Sequence, residues 1–271
     1  VVGADGHDFA NVSLYDVTKT FGSGRRRSVT AVDDVSLSFE TGGSTIGIVG
    51  ESGSGKSTLA RMVVGLQPQT SGSIAFNGNE LAGVLRSGLQ RRRFRRAVQF
   101  VGQNTTSSFD PRRTLRDAVR LPVMTLVGLD RRAADERVDE ILTLMGLPIA
   151  YADRRPHQVS GGQRQRFAIA RGLVVRPRLL VCDEVVSALD VSIQGSILNL
   201  LKRYCADNGA GLLFVSHGLP ATAFIADEIV VMYRGQVVDR GATEDIIGGD
   251  DVHPYTAGLL AAVRRPKVGA P

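Results

Sequence analysis

Short bursts of alternating apolar and polar positions recur along this chain, separated by stretches with a helical period. Val35, Leu37 and Phe39 alternate with Ser36 and Ser38, the spacing of a strand with one buried face. Residues 45–49 predict a short buried strand that ends in a glycine-rich turn. Over 56–64 the apolar spacing becomes helical and stops at Gly65. Residues 73–76 and 98–101 predict two further strands. The pattern then changes: Leu115, Val119, Val138, Ile141, Leu142 and Met145 recur near helical spacing amid many charges. Strand signals are absent there, so roughly 103–171 reads as an all-helical lobe. Beyond it, 179–182, 212–215, 229–233 and 236–238 restore the strand pattern and alternate with helices over 192–206 and 219–226. Such alternation predicts an α/β fold with a mostly parallel sheet covered by helices, and antiparallel strands near the N-terminus.

Composition narrows the class. Of 271 residues, 43% are hydrophobic and 22% charged, the balance of a globular chain rather than a disordered one. This length lies near the upper limit for one continuous core, so one domain with a lobe or two small domains is expected. Apolar runs such as 229–233 fall far short of the roughly 20 residues that a membrane helix needs. The chain does not begin with Met, and no cationic start followed by an apolar stretch marks a secretory leader. Cys182 and Cys205 are too few for a disulfide framework or a four-ligand metal site, which fits a reducing cytosol. The net charge is +6, with arginines concentrated at 25–27 and 91–96. Nucleic acid or acidic headgroups would explain these runs, but a solvated loop or helix face is the more ordinary cause. With Phe94 alone in the second run and no Trp in the chain, bases have little to stack on, so no nucleic-acid partner is expected.

The chemistry begins where the strand at 45–49 meets the helix at 56–64. Gly50, Glu51, Ser52, Gly53, Ser54, Gly55, Lys56 and Ser57 fit the pattern G-x-x-x-x-G-K-[ST], followed by Thr58. Glycines let the backbone wrap closely around phosphate oxygens, with main-chain N–H groups turned inward. The Lys56 ammonium can reach the outer phosphates, the Ser57 hydroxyl can hold Mg²⁺, and the helix presents its positive end. The loop predicts nucleotide binding without separating a kinase from a GTPase or a transport ATPase. Residues 179–184 form an apolar strand that ends in two acids. Asp183 suits a contact to Mg²⁺ through water, and Glu184 suits polarisation of an attacking water.

Upstream of these acids lies Val159-Ser160-Gly161-Gly162-Gln163. With this motif in register with the other two, the chain resembles the ABC (ATP-binding cassette) ATPases, whose signature is Leu-Ser-Gly-Gly-Gln. Val159 replaces the leucine. The resemblance implies that Ser160, Gly161, Gly162 and Gln163 bind the γ-phosphate held by the opposite subunit's phosphate loop. It also implies a Q-loop glutamine at Gln103, a D-loop at Asp190 and a switch histidine at His217. Phe21 becomes an adenine-stacking candidate, although loop packing would explain it nearly as well. Gly218 stands where the family usually has Asp.

Within that family the chain is similar to the ATP-binding subunits of oligopeptide and dipeptide importers, through 107–112, Pro156-His157, 187–194 and His253-Pro254-Tyr255-Thr256. Nickel importers share much of this pattern. The resemblance implies a P-loop NTPase core of ABC-ATPase type, with an antiparallel β subdomain and an α-helical signature subdomain, in one nucleotide-binding domain over 1–271. It implies an ATPase that uses ATP and Mg²⁺ (held by Ser57, Gln103 and Asp183), with catalytic Glu184, His217 and Gln103. Expected partners are a second cassette, two transmembrane permease subunits and, through the complex, a substrate-binding protein, at the cytoplasmic face of the membrane. The alternatives are a nickel or metal-chelate importer ATPase and, behind it, a soluble non-transport ABC ATPase. No iron–sulfur cluster is expected, since only two cysteines exist.

Overall fold

The computed structural model describes residues 9–22, 28–42, 44–104, 107–187 and 191–264. Strands β1 (Asn11–Phe21) and β2 (Val29–Glu40) run antiparallel, with Leu14 opposite Leu37 and Val12 opposite Phe39. The alternation seen in the sequence around Val35 is one half of this pair, and Val12, Leu14, Val17, Val35, Leu37 and Phe39 of the two strands are buried. Every residue of β3 (Thr45–Val49) is buried, and α1 (Lys56–Val63) follows it. After α1, β4 (Ser71–Phe76) pairs with β1 and the two-residue β5 (Asn79–Glu80), completing a sheet of order β2-β1-β4-β5.

Two helices, α2 (Leu81–Arg86) and α3 (Gly88–Ala97), lead into β6 (Val98–Val101). The arginine run at 91–96 is therefore a helix rather than a loop. Its single aromatic, Phe94, points inward and meets Phe76 edge-on, with ring centroids 5.0 Å apart. No aromatic of that run remains for a base to stack on. The run at 25–27 lies outside the described residues.

From 102 to 178 no described residue is in a strand. This stretch holds α4 (Leu115–Pro122), a π-helical turn at Val123–Val127, α5 (Arg131–Leu144), two short 3₁₀ turns and α6 (Gly161–Leu173). Thr114 caps α4 by accepting from the Asp117 amide, and Asp130 caps α5 by accepting from the Ala133 amide. The many charges of this stretch join the helices: Arg116 lies 2.7 Å from Asp139 and 3.1 Å from Asp153, and Arg120 lies 3.0 Å from Asp135. Apolar positions meet beneath them, where Leu115, Val119, Val138, Leu142 and Phe167 are almost fully excluded from solvent.

The chain then returns to the sheet with β7 (Leu179–Asp183), α7 (Val191–Asn208), β8 (Gly211–Val215), α8 (Leu219–Ile225) and β9 (Glu228–Tyr233). It ends with β10 (Gln236–Ala242), α9 (Thr243–Gly248) and α10 (Pro254–Arg264). The second sheet has the order β10-β9-β3-β8-β7-β6; all its pairs are parallel except β9 with β10. Alternate residues of its strands serve two cores. Leu179, Val181, Leu213 and Val215 face α1 and the first sheet, whereas Leu180, Cys182, Leu212 and Phe214 face the helices. Because β3, β7 and β8 run the same way, the segments following them emerge together beyond the C-terminal ends of the strands. No helix of the described residues is long and apolar enough to cross a membrane.

Candidate functional site

Three strand ends build the site. Beyond β3 the backbone turns at Gly50 (φ +153°), Gly53 (φ +84°) and Gly55 (φ +104°), a left-handed region that disfavours any side chain. Space is equally restrictive at two of them. A Cβ on Gly50 would lie 2.2 Å from the Met232 carbonyl oxygen, and one on Gly55 would lie 2.0 Å from that of Ala31. At Gly53 a Cβ would meet nothing within 4 Å, so this part of the loop opens outward. The Gly235 amide donates to the Ser54 carbonyl at 3.0 Å, which ties the loop to the β9–β10 turn.

Lys56, the first residue of α1, is buried. Its ammonium donates to the carbonyl oxygens of Gly50 (2.8 Å) and Glu51 (2.7 Å) and to Ser54 Oγ at 3.3 Å. Burial lowers its pKa below the ordinary lysine value, opposed by the charges of Glu184, Asp183 and Glu51. The ammonium thus closes the loop on itself, and its present partners are neutral oxygens that a phosphate could replace. The next residue, Ser57, donates from Oγ to Asp183 Oδ1 at 2.8 Å. Asp183 ends β7 and is only 2% exposed. Burial raises its pKa, with the Ser57 hydrogen bond acting in the opposite direction. Thr58 is half-buried on α1 behind Ser57.

Glu184 turns away from its neighbour because its backbone is left-handed (φ +53°). Its amide donates to the Val215 carbonyl at 2.9 Å, which fixes it between β7 and β8. One carboxylate oxygen accepts from Gln103 Nε2 at 2.7 Å, and the other lies 3.7 Å from His217 Nδ1. Gln103 follows β6, and His217 follows β8. The C-terminal ends of the strands therefore gather Lys56, Ser57, Gln103, Asp183, Glu184 and His217, whereas 160 residues separate Ser57 from His217 in the chain. A phosphate-shaped loop, two carboxylates and an imidazole gathered there can bind a nucleotide's phosphates and orient a water beside them.

Ser160 does not join this group by any hydrogen bond among the described residues. It caps α6: its Oγ accepts from the Gln163 amide at 3.2 Å, while Gln163 Oε1 accepts from the Ser160 amide at 2.9 Å. Gly161 is exposed, and a Cβ there would meet nothing within 4 Å. The second motif is thus a helix N-terminus open to a partner. Phe21 closes β1 as an exposed ring with the Lys19 ammonium 5.2 Å from its centre. Asp190 lies outside the described residues. Gly218 stands at the N-cap of α8, its amide donating to Ser216 Oγ at 3.0 Å.

Two contacts escaped the sequence reading. Arg171 of α6 donates to the Ser108 carbonyl and lies over the Phe109 ring at 4.7 Å, pinning the segment after Gln103 to the helix that Ser160 caps. Tyr255 accepts from the Glu51 amide of the phosphate loop at 2.8 Å. The motif 253–256 was legible, but nothing in it told which element it would touch.

A family model described as ABC transporter matches residues 32–187. The chain is 39% identical to the oligopeptide transport ATP-binding protein OppF of Lactococcus lactis, over 87% of this chain and 73% of that protein. It is 40% identical to the oligopeptide transport ATP-binding protein AppF of Bacillus subtilis, over 93% of this chain and 78% of that protein. Among solved structures, it resembles the ATP-binding cassette MJ0796, dimeric in a post-hydrolysis state bound to ADP and Pi. That match has a TM-score of 0.78 and 29% identity, covering 86% of this chain and 98% of that one.

Proposed function

The chain belongs to the ABC transporter ATP-binding family, and on that premise we propose that it is the ATP-hydrolysing motor subunit of a membrane importer for di- or oligopeptides. The names of its relatives, oligopeptide transport ATP-binding proteins, support the cargo. The observation that carries the chemistry is the meeting of Ser57 with Asp183 at 2.8 Å, beside a Glu184 held by Gln103.

In this reading the loop amides of 53–58 and the Lys56 ammonium bind the phosphates of ATP, and Phe21 stacks on the adenine. The Ser57 hydroxyl, the Asp183 carboxylate and the Gln103 amide oxygen are hard oxygen donors of the kind Mg²⁺ prefers, Asp183 acting through water. When bound, the cation would neutralise charge on the phosphate oxygens. Glu184 accepts a proton from the attacking water, and Gln103 and His217 keep its carboxylate in place. His217 also steadies the γ-phosphate.

Ser160, Gly161, Gly162 and Gln163 serve a different nucleotide, that of a second cassette, which returns the favour face to face; Asp190 would lie at that seam. The dimeric MJ0796 cassette supports this arrangement. The lobe over 103–171 would transmit closure to two permease subunits at the cytoplasmic face of the membrane. A substrate-binding protein would deliver the peptide, and no nucleic acid takes part.

The test is reconstitution with the partner cassette and permeases in vesicles, measuring ATP turnover and uptake of a labelled peptide together. Peptide-stimulated turnover and ATP-dependent uptake are expected. Turnover by a strict monomer, or no uptake of any di- or oligopeptide by an active complex, would overturn the reading.

A further inference from the structure

Tyr255 sits on the first turn of α10, far along the chain from the phosphate loop, yet its hydroxyl accepts the Glu51 amide hydrogen at 2.8 Å. We propose that Tyr255 is a positioning residue for ATP binding: it latches the phosphate loop in its binding shape from outside the loop. This inference rests on the ATPase reading and adds to it a residue that contacts no nucleotide.

Three observations make the contact a built one. The Tyr255 ring stacks on Tyr233, the last residue of β9, with centroids 4.2 Å apart and planes 25° apart. Such a platform fixes where the hydroxyl lies. The residues flanking the ring are anchored to β10. The His253 amide donates to both carboxylate oxygens of Asp239 (3.2 and 3.1 Å), and Thr256 Oγ1 donates to the same carboxylate. His253 Nδ1 in turn accepts the Tyr255 amide at 3.1 Å, capping the turn that carries the ring. The motif 253–256 is thus spent on aiming one hydroxyl.

The target is equally specific. The Glu51 carbonyl accepts from Lys56 Nζ at 2.7 Å and from the Ser54 amide at 3.2 Å. When phosphate oxygens draw the ammonium away, this part of the loop loses one of its internal ties. The Tyr255 bond to the Glu51 amide does not depend on the ammonium, because it uses the amide N–H and not the carbonyl that Lys56 holds. Without it, the loop would have to be ordered by the nucleotide itself, and affinity would fall by the cost of that ordering. Turnover of the bound complex would be spared, since Glu184, Gln103 and His217 follow other strands, β7, β6 and β8.

The experiment compares wild type with Tyr255→Phe, Tyr255→Ala and Asp239→Asn in the assembled complex, reading ATP affinity, turnover at saturating ATP and melting temperature. Tyr255→Phe keeps the stack and removes only the hydroxyl. It is expected to weaken ATP binding about 3–10-fold, the range of one net hydrogen bond, with saturating turnover and melting temperature near wild type. Asp239→Asn should shift affinity in the same direction by loosening the anchor, and Tyr255→Ala should shift it further. ATP affinity of Tyr255→Phe equal to wild type would overturn the latch while leaving the ATPase reading intact. So would a loss that tracks melting temperature across the three variants. Failure of wild type to bind ATP would instead overturn the ATPase reading itself.

Discussion

The side-chain amide of Gln103 donates to the carboxylate of Glu184 at 2.7 Å across 81 residues of chain, joining the end of β6 to the end of β7. A carboxylate held this way is aimed, and its left-handed backbone shows that the fold accepts a strained residue to aim it. Glu184→Gln keeps the shape and removes the group proposed to accept the proton. ATP turnover is expected to fall by about 10² or more, while ATP still binds and holds a cassette pair together. Turnover assays with dimer mass measured in the same buffer check this.

Removing Lys56 acts one step earlier. Lys56→Ala deletes the ammonium that now spans Gly50, Glu51 and Ser54, so the loop loses both its internal closure and its charge toward phosphate. ATP affinity is expected to fall at least about tenfold, as for a lost charge-assisted hydrogen bond. Calorimetric titration with ATP reads the change directly.

Asp183 carries a pH signature. Burial raises its folded pKa above the unfolded 3.8, so its contribution favours the folded state below that value and is lost as pH rises through the folded pKa. Ionising this carboxylate therefore costs the folded, nucleotide-free chain more than the unfolded one. Asp183→Asn is expected to raise the melting temperature of the nucleotide-free chain at pH 7, with the gain shrinking as pH falls into the carboxylate range. Thermal melts of both chains across that range measure it, and ATP turnover should be lost in the same variant.

Gly161 separates folding from assembly. A Cβ there would meet nothing within 4 Å in this chain, and its φ is not positive, so Gly161→Asp should melt like wild type and bind ATP like wild type. In a face-to-face pair the new carboxylate would oppose the partner's phosphates. Turnover is expected to fall by about 10² or more. Melting, binding and turnover measured together distinguish this from a folding defect.

Gly218 gives a stability prediction. It is the N-cap of α8 with extended backbone (φ −98°, ψ 107°), and a Cβ would make only an ordinary contact, 3.6 Å from Ser216 Oγ. Gly218→Asp is expected to stabilise the chain by a few tenths of a kcal/mol, about the difference between Gly and Asp at this position. Chemical denaturation of both chains checks it.

Local sequence determined what depends on short range. The loop 50–57 must bend where its glycines stand, and β3, β7 and β8 are read from apolar runs because a strand buried on both faces has no polar position to spare. Ser160 with Gln163 is legible as a helix start for the same reason: both groups of the cap lie within one turn. The strand at 11–21 and the helices carrying 81–97 were harder. β1 is interrupted by register shifts between Leu14 and Thr20 that break the alternation, and α3 buries only Phe94, leaving almost no periodic signal. Motif resemblance put Gln103, Glu184 and His217 in one family pattern, but their distances follow from parallel strands whose C-terminal ends lie together, which no single segment encodes. The same holds for Tyr255 on Glu51: a hydroxyl reaches an amide 204 residues away only because β9, β10 and α10 pack beside β3. Contacts of that range are decided by burial of the whole core, which chooses among sheet orders that the separate strands would equally allow.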